Sequence, residues 1–160
     1  MRWFRVYALI QALLFAQAAS AEPVITRTGA APTQAVRMEI ASYLERQPRL
    51  REDEAQGAPK LVKASIAGPV QIQLNSSMPA ATIYCVEVDL IKTNPLFLST
   101  HDVFEATINF RTVDGKQRIG GAYRTTKRTG TGKCKGASYT PFPELEQLRN
   151  KRRHELGKDH

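Results

Sequence analysis

One dipeptide constrains this chain more than any other: Asp114-Gly115, set after a run that alternates apolar and polar residues. A two-residue type I′ turn needs positive φ at both central positions, and Asp-Gly adopts that geometry at little cost. Upstream, Phe104, Ala106, Ile108 and Phe110 alternate with Glu105, Thr107, Asn109 and Arg111. Closing the loop on Asp114-Gly115 sets Val113 against Lys116, Phe110 against Ile119, Ala106 against Tyr123 and Glu105 against Arg124. Apolar then meets apolar and an acid meets a base.

The same period of two runs through the middle of the chain. Val62, Ala64, Ile66, Val70, Ile72 and Leu74 share one parity, with Gly68-Pro69 read as a bend that keeps the phase. After the turn "NSSMPA", Tyr84, Val86, Val88 and Leu90 point one way, and Cys85, Glu87 and Asp89 the other. Before these strands lies a stretch of helical period, 33–47, in which Val36, Ile40 and Leu44 recur every fourth residue. Thr33 is its N-cap and Pro48 its stop. A second helix is expected over 143–156, with Pro143 in its first turn and Gly157 as its stop.

These patterns predict an α+β fold in which an N-terminal helix packs on one face of a four-stranded antiparallel meander, followed by a short C-terminal helix. In outline this order of elements resembles the cystatin-like folds. The resemblance covers element order alone, rests on no sequence motif and carries no function.

The chain opens with a basic "MRWFR", an apolar run and small residues at Ala19-Ser20-Ala21, the pattern of a cleaved signal peptide over 1–21. The expected division is then a flexible leader at 22–32, a single α+β domain at 33–142 and a short basic C-terminal helix and tail at 143–160. No later segment is apolar enough to serve as a transmembrane anchor after cleavage. An exported chain with two cysteines, Cys85 and Cys134, is expected to join them in a disulfide. Cys85 shares its parity with Glu87 and Asp89, which places that link on the solvent face. The expected location is periplasmic or secreted.

Charge is concentrated. The chain carries +8 overall, yet between Gly115 and Pro143 it has seven basic residues and no acidic one. The glycine-rich "RTTKRTGTGKCKG" at 124–136 looks like a phosphate loop, but the required first glycine is Lys127, and Cys134 stands where a metal-binding hydroxyl belongs. No nucleotide, metal or other cofactor is implied. Two readings of the basic residues remain. Charges on an outer strand prevent edge-to-edge aggregation; alternatively Arg118, Arg124, Lys127, Arg128, Lys133 and Lys135 form a lobe that binds an anionic partner. That partner would be an envelope glycan, a lipid headgroup or an acidic protein. Nucleic acid is not expected, because aromatics are not interleaved with the basic loop. The cluster at 149–155 has acidic neighbours and reads as a solvated helix face.

Two alternatives belong to other classes. A small apolar ligand could sit between helix and sheet against Tyr84, Phe104, Phe110 and Tyr123, although residues at period two are more often core. A small periplasmic enzyme could use His101, beside Asp102, although no nucleophile is placed with it as a motif. Neither alternative assigns a catalytic residue from pattern alone.

Overall fold

The computed structural model describes residues 24–27, 30–47, 59–73, 80–93, 99–126 and 132–157. The signal segment 1–21, linker residues 48–58, residues 74–79 with Leu74, and Lys127, Arg128 and His160 lie outside the described residues.

Strand β1 (Val24–Arg27) precedes helix α1 (Gln34–Glu45), followed by β2 (Lys60–Gln73), β3 (Ala81–Thr93), β4 (Ser99–Val113), β5 (Lys116–Thr126), the short β6 (Thr140–Pro141) and helix α2 (Pro143–Glu155). One antiparallel sheet runs β1-β2-β3-β4-β5, and β6 also pairs with β2. The sheet therefore exceeds the expected four strands. Val24–Arg27, read from sequence as leader, is held on β2 through pairs such as Ile25 with Ile72.

Both helices cover one face, here called the front. The Thr33 hydroxyl accepts from the Val36 amide at 3.4 Å, capping α1 as expected. Ile40, Ala41 and Leu44 then pack with Ile66, Val86, Val88, Phe104, Ile108 and Phe110. Buried ion pairs join the helices. Arg37 makes two 2.8 Å bonds to Glu144. Arg149 reaches Glu45 at 3.0 Å and is 1% exposed. The cluster at 149–155 is thus not wholly a solvated face: its first arginine sits inside the helix–sheet junction.

Three register shifts decide which side chains reach the front. One falls between Leu61 and Lys63, so Val62, expected inside, is 47% exposed. A second falls at Gly68-Pro69, where two residues of β2 span one of β3. The bend therefore does not keep the phase: it sends Val70 and Ile72 to the back face, with Ala67, Ile83 and Cys85. The third falls between Asn109 and Phe110, with Gly120 as the extra residue of β5. The hairpin register holds from Val113–Lys116 to Phe110–Ile119 and then slips by one. Ala106 faces Arg124 rather than Tyr123, and Glu105 faces Thr125 rather than Arg124.

The back face is consequently not all solvent. Residues 132–141 cross it as a strap toward β2. Cys134, 3% exposed, is bonded to Cys85, which is fully buried among Ala67, Val70, Ile72 and Ile83. The disulfide forms as the sequence suggests, but inside a second small core. Beyond the strap, the Phe142 amide donates to the Ala64 carbonyl at 2.9 Å, and Glu146 accepts from the Ala64 amide at 3.1 Å. Together with β1 and β6, these contacts close the outer edge of β2. The opposite edge of the sheet is β5.

Candidate functional site

Arg111, Lys116 and Arg118 share the back of the β4–β5 hairpin. Register sets Val113 beside Lys116, Arg111 beside Arg118, Asn109 beside Gly121 and Thr107 beside Tyr123. Arg111, Lys116, Arg118 and Tyr123 are exposed, and none of the three cations has an ion-pair partner among the described residues. A side chain at Gly120 would meet Asn109 Oδ1 at 2.9 Å and the Arg111 stem at 3.1 Å. The missing Cβ at the bulge is what lets the Arg111 stem lie across β5.

Next to Tyr123 in this row, Thr107 lies 3.6 Å from the Cys134 sulfur. Cys134 is flanked by Lys133 and Lys135, both exposed. Four residues of β4 separate the Arg111 row from the Thr107 row, or about 13 Å of strand. Tyr123 thus shares its row with the Cys134 turn and stands one such interval along the sheet from the Arg111–Arg118 pair.

Arg124 does not belong to this strip. The slip at Gly120 turns it to the front, where its guanidinium lies 4.0 Å from the Phe104 ring centre and 2.5 Å from Asp102. Lys92 approaches the same carboxylate at 3.3 Å. Burial opposes ionisation of Asp102, but the Arg124 and Lys92 contacts outweigh it and hold the carboxyl below its usual range. The Arg124 charge is neutralised locally.

Arg111 was absent from the basic lobe read in the sequence. The signal was available, because the two-residue turn that pairs Val113 with Lys116 also pairs Arg111 with Arg118.

Other residues singled out by pattern fall elsewhere. Tyr84, Phe104 and Phe110 are core residues at 8%, 4% and 5% exposure, and Tyr84 packs edge-on against Phe110 at 5.2 Å. The gap lined by Leu61, Val88, Leu90, Leu145, Glu45 and Arg149 measures about 10 Å³, room for one water at most. Tyr123 leaves this group: it is 66% exposed on the opposite face.

His101 Nδ1 lies 3.2 Å from Asp89 Oδ1, and the imidazole side chain is 61% exposed. Both cysteines are in the disulfide, so neither can serve this pair as a nucleophile. Tyr139 donates to Glu105 at 2.8 Å, and burial together with that carboxylate raises its phenol far above the usual range. At neutral pH Tyr139 is a fixed donor and not a base. A cleft of about 140 Å³ lies between Arg27, Ala30–Pro32, Gly68-Pro69 and the strap at Gly136–Ser138.

Among the described residues no helix is long and apolar enough to cross a membrane, and no cluster of three potential ligands could hold a metal ion. Compared with family models, curated proteins and solved structures, the chain gives no match, so its functional reading rests on this geometry.

Proposed function

We propose that the protein is an exported, non-catalytic binding module whose back-face strip of Arg111, Lys116 and Arg118, extended by Lys133 and Lys135, holds an anionic partner. One observation carries this reading: Arg111 and Arg118 stand directly opposite each other with no acid between them. Like charges in facing positions destabilise a sheet. Protection against edge-to-edge aggregation accounts for a charge on either strand of the hairpin tip, since β3–β4 pairing ends at Phe110, but it does not call for two like charges set face to face. A bound anion relieves that repulsion, and paired guanidiniums suit carboxylate or phosphate oxygens through their planar donor forks. The disulfide is in keeping with an exported chain.

The test is retention on an immobilised polyanion as a function of salt. Wild type should elute late and lose affinity steeply as the Debye length falls from about 10 Å at 0.1 M to about 3 Å at 1 M. A variant carrying Arg111→Glu, Lys116→Glu and Arg118→Glu should elute near the void with an unchanged melting temperature. Equal retention of the variant and wild type would refute the reading.

A further inference from the structure

The strip combines more than charge, and we infer that its occupant is an acidic polysaccharide: a sugar ring lies on Tyr123 while its acidic groups meet the Arg111–Arg118 pair. This rests on the anion-binding reading above and names the class of partner. Tyr123 is 66% exposed on a strand that carries no other aromatic residue. An exposed aromatic ring offers a flat apolar surface with a polar tip, which suits the C–H face of a pyranose. Between that ring and the two arginines lie Gly120, over which the Arg111 stem and the Asn109 amide extend, and Gly121, which the Asn109 amide borders. The Asn109 amide there offers a donor and an acceptor to a sugar hydroxyl. A charged chain crossing Tyr123 meets Arg118 along the strand and, across β4, the turn that carries Lys133 and Lys135, whose Cys134 packs on Thr107 in the same row as the ring.

The shape of the strip favours a linear polymer over the alternatives. Two strands span only about 10 Å, whereas a stable globular interface covers about 800 Å² per partner. A bilayer is disfavoured at the hairpin tip, because Asp114 occupies the turn and Val113 is the one large apolar residue exposed beside it. A second copy paired antiparallel along β5 would set Arg118 and its basic neighbours against themselves.

The experiment measures binding of the mature chain by calorimetry to polygalacturonate, which carries carboxylates on sugar rings, and to polyglutamate, which carries them without rings. Neutral dextran and anionic phospholipid vesicles complete the set. Tyr123→Ala should weaken polygalacturonate binding about tenfold and leave polyglutamate unchanged, as expected for the loss of one stacked ring. Tyr123→Phe should retain the affinity, which shows that the ring and not a folding defect is responsible. Arg118→Ala should weaken both polymers. If polyglutamate binds as tightly as polygalacturonate and Tyr123→Ala changes neither, the anion reading survives and the polysaccharide inference falls. Tighter binding to vesicles, or charge-independent binding to dextran, also overturns the inference. If no polyanion binds at all, both fall together.

Discussion

The exposure of Tyr123 depends on a one-residue slip at Gly120, and paired substitutions test it. Ala122 lies opposite Ile108, which is fully buried, and packs against the front core; Tyr123 points the other way. An aspartate at 122 brings an unpaired carboxylate against apolar neighbours, at a cost of about 3 kcal/mol. An aspartate at 123 replaces an exposed ring and loses about 1 kcal/mol or less, mostly strand preference. The difference of about 2 kcal/mol, at a urea dependence of about 2 kcal/mol per molar, separates the unfolding midpoints by about 1 M. Without the bulge, Tyr123 would face Ala106 inside the core, and removing a buried aromatic would cost about 3–5 kcal/mol. Urea titration followed by far-ultraviolet circular dichroism distinguishes the two. A midpoint for Tyr123→Asp at or below that of Ala122→Asp would refute the register described here.

Three further outcomes follow from the packing. Reducing the Cys85–Cys134 bond, which spans 49 residues, should lower the unfolding free energy by about 4 kcal/mol in the chain-entropy treatment, read as a shift of the urea midpoint with reductant. Gly68→Ala should destabilise by about 1–2 kcal/mol in thermal melts, because φ there is +116° and a Cβ would sit 3.0 Å from the Ile83 carbonyl. The Arg37 bonds hold the Glu144 carboxyl below its usual range against the effect of burial. Its contribution is therefore complete above the carboxylate's unfolded pKa and is lost as pH falls through the folded value. Wild type should lose more stability than Glu144→Gln between pH 5 and pH 2.

The helices, the disulfide partners and the front faces of β3 and β4 were legible because each is specified locally. Thr33 caps, Ile40 and Leu44 recur at helical spacing, and Phe104 to Phe110 alternate without interruption. The back-face core was not legible. It depends on Gly68-Pro69 inserting one residue, which moves Val70 and Ile72 across the sheet while their own alternation continues unbroken. Polarity gave no warning at Val62 or Tyr123 either, since each suits a buried position. For the site, Lys116 and Arg118 were visible as charge. Arg111 required the hairpin register to be followed inward from the turn, and the departure of Arg124 required the Gly120 slip. Arg149 was misread because its partners, Glu45 and the Pro59 carbonyl, come from distant parts of the chain.

The most direct test of the binding face is a map of it. Amide correlation spectra of the isotopically labelled chain, titrated with polyglutamate at low salt, should show shifts concentrated at Arg111, Lys116, Arg118, Gly121 and Tyr123, with a second group at Lys133 and Lys135. The helical residues Arg152 and Arg153 should stay in place. Shifts centred on α2, or no shifts at all, would contradict the assignment of the β4–β5 back face as the anion-binding surface.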